Sequence, residues 1–275
     1  MNVSKEAESE SIVASGPVLL DRVGTVAHIR LNRPTASNGI SIDLLKQFRE
    51  VVMLCHGDSR VRAVLLTGEG PNFCAGGDVR EFASKGETLP DFLREATAYL
   101  QMCAAGLIHL DAPVVAAVQG YAAGGGGLGL VCAADIVIAA ESSKYLAGAT
   151  RVGMAPDAGS SVVLPRLVGF RRAMDMLLTN RVVDAREALE IGLVTRVVPD
   201  DELQGEALAA ARAIAAGAPR AMAATKRLLW SGIGLSVDAC LLEEARTVSE
   251  LSGTEDAREG LAAVIERRAA SFTGR

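Results

Sequence analysis

Between Val18 and Leu31 the chain alternates, with Ala27, Ile29 and Leu31 on one side and Val26, His28 and Arg30 on the other. A period of two marks a half-buried strand, so the pattern predicts a strand pair turning between Asp21 and Gly24, with His28 on its solvent side. The period then changes. Ser41 follows a turn-like stretch from Pro34 to Gly39 and can cap a helix to about Cys55, whose Ile42, Leu45, Phe48 and Val52 form one stripe. Ala63-Val64-Leu65-Leu66-Thr67 is an apolar run stopped by Gly68, the pattern of a strand covered on both faces.

The same succession repeats downstream. A helix from about Leu89 to Ala105 leads to a buried strand, Val114 to Val118, then a glycine loop, a helix to Ala134 and a strand from Ile136 to Ala139. Strands alternating with helices predict an α/β protein with crossover connections. After Asp157 helices take over, from about Gly159, at Arg171 to Leu178, and after Asp184, which pairs with Glu187 in a capping-box pattern. A last strand runs from Leu193 to Val198, and only helical patterns follow, from Asp201 to Arg267. The pattern thus divides the chain into a disordered tail over residues 1–16, a core over residues 17–200 and a helical region over residues 201–275. The last is the expected place for packing between subunits.

Composition narrows the function. Hydrophobic residues make up 49% of the 275 and aromatics only 4%, so the core must be built from Ala, Val, Leu and Ile. A net charge of −5 with no long Lys/Arg run argues against a nucleic-acid partner. No apolar run is long enough to cross a bilayer, and the polar, acidic stretch Lys5 to Ser11 has no export pattern, so a cytoplasmic protein without a membrane partner is expected. Five cysteines without a CxxC spacing read as reduced, packed thiols, and three unpaired histidines give no metal site.

Two glycine-rich segments and one acid carry the candidate chemistry. Phe73-Cys74-Ala75-Gly76-Gly77-Asp78 and Gly120 to Gly129 each sit between a buried strand and a helix, where backbone N–H groups can face a ligand. Two such loops can supply a pair of donors for one developing oxyanion. Glycines packed for tight turns and close helix approach would look the same. Gly124, Gly126 and Gly129 formally match the dinucleotide pattern G-x-G-x-x-G, but the loop starts several residues after its strand and has no second half, which argues against that reading. Glycines cannot move a proton. Asp157, in Pro156-Asp157-Ala158-Gly159, can, among Val152, Met154, Ala155 and Val162; it can equally cap the helix that follows.

Leu31-Asn32-Arg33-Pro34 with Asn38, Ala63 to Gly68, Phe73 to Asp78, Gly120 to Gly127, Asp135 and Pro165-Arg166-Leu167-Val168-Gly169 together resemble the crotonase (enoyl-CoA hydratase/isomerase) family, over nearly the whole chain from about Val18 to Phe272. The resemblance implies a spiral of β-β-α units and C-terminal helices that mediate homotrimers or dimers of trimers. It also implies an acyl-CoA thioester substrate and no cofactor beyond that coenzyme A moiety. The thioester oxygen would be held by the N–H of Gly77 and of Gly125 or Gly126; counting from Gly120 gives the first and counting from Asp135 the second, because the chain is one residue longer here than the usual pattern. Coenzyme A contacts would come from Arg33, Ala75, Asp78, Val79, Arg80 and Arg267.

The two glutamates used by hydratases of this family match Gly129 (or Leu128) and Ala149 here, while the aspartate of several isomerase branches and of the aryl-CoA dehalogenase branch matches Asp157. The dehalogenase branch also wants a tryptophan and a histidine, where this chain has Ala149 and Gln101. The resemblance therefore implies an isomerase-like branch with Asp157 as base, a hydratase of unusual activity or a non-catalytic acyl-CoA binder being the alternatives.

Overall fold

The computed structural model describes residues 9–275. It begins with β1 (Ser9–Val13), β2 (Val18–Val23) and β3 (Val26–Leu31), followed by α1 (Ile42–Gly57), β4 (Ala63–Gly68), α2 (Val79–Ser84) and α3 (Leu89–His109). Then come β5 (Val114–Val118), β6 (Tyr121–Ala123), α4 (Leu130–Ala133), β7 (Ile136–Ala140) and β8 (Lys144–Leu146). The chain continues through α5 (Ser160–Val168), α6 (Phe170–Thr179), β9 (Val183–Asp184), α7 (Ala185–Glu190) and β10 (Arg196–Val198), and ends in α8 (Leu203–Ala215), α9 (Pro219–Gly232), α10 (Val237–Ser252) and α11 (Glu255–Glu266).

Seven strands form the main sheet in the order β1-β2-β3-β4-β5-β7-β10, antiparallel through β3 and parallel from there on. A second sheet, β6-β8-β9, lies off the ends of the first. β5 runs into β6 and β7 into β8, while the segment after β4 makes single bridges from Cys74 to Ala122 and from Gly77 to Ile40. Each long parallel strand is thus followed by a short step into a second layer before a helix returns the chain, the β-β-α spiral expected from the resemblance.

Both faces of the main sheet are covered, which explains why β4 and β5 are buried throughout and, Thr67 apart, carry no polar side chain. One face packs Leu20, Ile29, Leu66 and Val118 with α1, α3 and α5, and the other packs Val26, Leu65, Val115 and Ile138 beneath α8. Fully buried leucines such as Leu44, Leu45 and Leu107 each contribute roughly 2 kcal/mol of apolar transfer free energy. Ser41 caps α1 as expected, accepting from the Leu44 N–H.

Several expectations are corrected. The predicted tail holds a strand: β1 pairs antiparallel with β2 from Ser9 onward, while residues 1–8 lie outside the described ones. Val26 and His28 do not face solvent, because that face continues under α8; Val26 is buried and His28 is half-buried with Nε2 3.0 Å from the Thr67 hydroxyl. Burial, reinforced by the neighbouring Arg30 charge, pulls His28 from its usual 6.5 down to about 4. The boundary at residue 200 also fails. Leu203, Ala207, Ala211 and Ala215 of α8 close the second core, so α8 belongs to the core rather than to the helical region beyond it. Only half of the Asp184/Glu187 capping box forms, since Asp184 caps α7 while the Glu187 carboxylate takes two hydrogen bonds from Arg181.

Candidate active site

The first glycine loop is positioned by one buried amide. Asn38 is fully buried, donates from Nδ2 to the carbonyls of Glu69, Asn72 and Phe73 at 2.8–3.1 Å, and accepts the Arg33 N–H at 2.8 Å. Those bonds fix the chain just before Ala75. Ile40 then takes both of its bridge bonds from the flanking residues, its N–H donating to the Gly76 carbonyl and its carbonyl accepting from Asp78. In a parallel bridge the central residue's own N–H points the opposite way. That residue is Gly77, so its N–H is aimed away from Ile40. Cys74 beneath it is a packed thiol, as expected: it donates to the Asn38 carbonyl and burial pushes it up to about 12.

The second glycine loop is held by contact. Gly124 has φ +58° and lies against the Cα of Gly76, which brings the two loops backbone to backbone. Gly125–Gly129 forms a single π-helical turn before α4. Such a turn accommodates one residue more than an α-turn and is frequent at functional sites. Side chains are excluded along it: a Cβ on Gly126 would come 2.2 Å from Ile40, and one on Gly127 the same distance from the Cys74 carbonyl. The glycine pattern is thus a packing requirement as well as a source of N–H groups.

Asp157 enters from the segment between β8 and α5. A Cβ on Gly125 would fall 1.8 Å from Asp157 Oδ1, so the carboxylate lies directly over the Gly125 Cα. The capping role is not taken: α5 is capped by Gly159, and the Asp157 backbone carbonyl accepts the N–H and the hydroxyl of Ser160. Burial pushes the Asp157 carboxyl up, opposed only by a hydrogen bond from its own N–H. The carboxylate sits on a reversed turn in which Ala158 has φ +49° and Gly159 φ +77°. Left-handed backbone costs an alanine about 1–2 kcal/mol, so the packing around Ala158 must impose it.

These groups share one cavity of about 420 Å³. Its walls are Ile40, the two glycine loops, Phe82, the Leu93, Ala96, Thr97 and Leu100 face of α3, and the segment from Leu146 to Asp157. Thr97 spends its hydroxyl on the Leu93 carbonyl and so presents an apolar surface. Among the described residues lining it, Asp157 is the only acid and Arg151 the only cation. Val152, Met154 and Ala155 line it with Asp157 as expected, whereas Val162 is half exposed and outside it.

Gly77, Gly125, Gly126, Ala75 and Val79 therefore meet Asp157 in one space. Arg33 lies at a neighbouring hollow, where its Nη1 donates to the Gly39 carbonyl and its Nη2 is 3.6 Å from Asp78 Oδ2. Asp78 itself caps α2. Arg80 is exposed on that helix, and Arg267 ends α11 with φ +56°; neither lines the cavity. Leu128 and Gly129, the alternative glutamate matches, are both buried in the turn, and Ala149 lines the cavity without an acid. Sequence reasoning missed Ile40, Phe82 and the α3 face. The i, i+3, i+4, i+7 spacing of Leu93, Ala96, Thr97 and Leu100 was visible, but it is equally the spacing of a core stripe.

The family model described as enoyl-CoA hydratase/isomerase matches residues 21–275. The chain belongs to that family. Among curated relatives of the family it is 38% identical over 250 residues to the "Probable enoyl-CoA hydratase" of Rhodobacter capsulatus, covering 91% of this chain and 95% of that one. It is 33% identical over 246 residues to the "4-chlorobenzoyl coenzyme A dehalogenase-2" of Arthrobacter sp, covering 89% of each. The crystal structure of enoyl-CoA hydratase from Bacillus anthracis superposes with a TM-score of 0.89 at 33% identity, over 94% of this chain and all of that one. The protein is thus an enzyme of the enoyl-CoA hydratase/isomerase family with the crotonase fold, and no described helix is long and apolar enough to cross a membrane.

Proposed function

We propose that this enzyme shifts a carbon–carbon double bond within an enoyl-CoA, converting a 3-enoyl to a 2-enoyl thioester. The Asp157 carboxylate takes a proton from C2, and the electron pair of that C–H bond delocalises onto the thioester oxygen. The resulting thioenolate is held by the N–H groups of Gly77 and Gly125, each such donor being worth about 3–4 kcal/mol. Asp157 then returns the proton to C4 as the double bond moves to C2–C3, so no atom is gained or lost. The wider turn at Gly125–Gly129 absorbs the extra residue of this loop, which keeps the count from Gly120 in phase and supports Gly125 over Gly126 as the second donor.

The observation that carries the reading is a single carboxylate, seated over Gly125 in a cavity that no other acid lines among the described residues. Desolvation raises its affinity for a proton, which suits a base that must also give the proton back. Hydration is the second reading, favoured by the names of most similar relatives, yet adding water needs one group to activate it and another to supply a proton. Leu128, Gly129 and Ala149 offer neither. The apolar α3 wall suits the acyl chain, while Arg33, Arg80 and Arg267 remain the proposed partners of the coenzyme A phosphates, with no cofactor beyond that moiety. The exposed apolar side chains of α10 and α11, among them Leu241, Leu242, Val264 and Ile265, are the proposed contacts of a homotrimer or dimer of trimers.

Steady-state assays on matched 3-enoyl- and 2-enoyl-CoA substrates test the assignment. Isomerisation is expected to exceed hydration, and Asp157→Asn to abolish it while acyl-CoA binding by calorimetry persists. Undiminished turnover by that variant would overturn the reading.

A further inference from the structure

What holds Asp157 over Gly125 is visible in the neighbouring residue. Ala158 is buried, 3% exposed, in a left-handed conformation that alanine adopts only when its surroundings compel it. Its Cβ points at Gly129, where an added Cβ would fall only 2.5 Å from it. Gly129 is the last residue of the π-helical turn that begins with Gly125. The turn therefore touches the Asp157–Ala158 pair at both ends, Gly125 under the carboxylate and Gly129 under the methyl group. The Asp157 carbonyl is anchored independently by Ser160, so rotation of the intervening backbone is what the methyl contact must prevent.

We propose that Gly129 and Ala158 form a positioning contact, in which the Ala158 methyl seated on Gly129 fixes the direction of the Asp157 carboxylate. Neither residue touches a reacting atom. Their effect is carried by Asp157 alone, and its kinetic consequence rests on Asp157 acting as the base. Because the colliding atom opposite Gly129 is a Cβ fixed to the backbone, a methyl group there can be accommodated only if residues 157–158 shift by roughly 1 Å, a displacement that costs on the order of a hundredfold in rate at a reacting centre.

Gly129→Ala is expected to lower kcat about a hundredfold with KM changed by less than about threefold, and Gly129→Ala/Ala158→Gly to recover it to within about tenfold of wild type, because the second change removes the colliding methyl. Carbon-13 carboxyl NMR of labelled aspartate, with the Asp157 signal assigned from Asp157→Asn, gives a readout that does not need turnover. Burial holds that carboxyl up in the wild type, and Arg151 is the only other charged group lining its cavity among the described residues. In Gly129→Ala its titration should move down toward the ordinary aspartate range, and in the double variant it should return. Ala158→Gly alone introduces no collision and relieves the left-handed strain, so it folds; it should lower kcat several-fold and shift the same titration partway.

The contact is overturned if Gly129→Ala folds with kcat and titration unchanged, if the double variant performs no better than the single, or if Ala158→Gly alters neither readout. Turnover surviving in Asp157→Asn, with the carboxyl titration still shifted by Gly129→Ala and restored by the double variant, would sink the role of Asp157 as base and leave the positioning contact standing.

Discussion

Asp157 and Asp135 are the same residue type, each half-buried, and they have opposite surroundings. Asp135 lies at the entry to β7 and is saturated: the Lys226 ammonium is 2.8 Å away, Trp230 Nε1 donates at 2.7 Å and the Val114 N–H at 2.7 Å. Lys226 also donates to the carbonyls of Leu107 and Ala112, so the cluster bolts α9 to the core. Asp157 lines the cavity, and among the described residues its own N–H is the only hydrogen bond that stabilises its charge. A carboxylate tied to three donors from β5 and α9 serves the fold. One left without partners in an apolar cavity keeps its proton exchange available, and the fold bears the cost.

The sharpest way to break this contrast is Asp157→Asn. Loss of a general base lowers kcat by about 10²- to 10⁴-fold, while removal of an uncompensated buried charge should raise Tm at neutral pH. The sign follows from linkage. A carboxyl whose folded-state proton affinity is raised binds more protons folded than unfolded, so stability falls as pH rises through the window and the penalty is fully present at neutral pH. A melting scan showing a lower Tm for the variant would place Asp157 with the structural acids. The acid limb of kcat/KM should correspondingly lie above the usual aspartate value of about 3.9.

Lys226→Met tests the other side of the comparison. Breaking a buried pair from one side costs about 3–5 kcal/mol in denaturant unfolding, because Asp135 is left without its cation. The folded fraction should retain kcat. A variant as stable as wild type would show that the cluster is not the bolt it is taken for. Asn38→Ala should come next: it strands three carbonyls and the Arg33 N–H, for about 1–3 kcal/mol, and should reduce kcat as well because the loop carrying Gly77 loses its frame. The smallest effect belongs to His28. Held neutral by burial, it should make stability decline as pH drops from about 6.5 to about 4, and His28→Gln should flatten that part of the profile.

Long apolar runs were legible in the sequence because strands buried on both faces leave little room for polar residues, which is how β4, β5 and β7 announce themselves. The strands β6, β8 and β9 are two or three residues long, too short for a period to show. β1 escaped notice because its residues are mostly exposed and its sequence is polar. α8 shows why the boundary at residue 200 was misplaced: the spacing of Leu203, Ala207, Ala211 and Ala215 shows that one helix face is buried but cannot say whether the covering surface belongs to this subunit or another. His28 illustrates the same limit on a strand.

At the site, the sequence by itself determined the chemical inventory: two glycine loops able to offer N–H groups, Asp157 as the acid the resemblance singles out, and no acid at the positions matching the hydratase glutamates. It also determined the family, because an ordered set of motifs survives without coordinates. Tertiary structure decided direction. Pro156-Asp157-Ala158-Gly159 is compatible with a carboxylate turned either into its own helix or into the cavity, since local propensity weighs only neighbours along the chain. The methyl of Ala158 against Gly129 and the bare Cα of Gly125 beneath Oδ1 are contacts between segments some thirty residues apart, and excluded volume between such segments leaves no trace in a one-dimensional pattern.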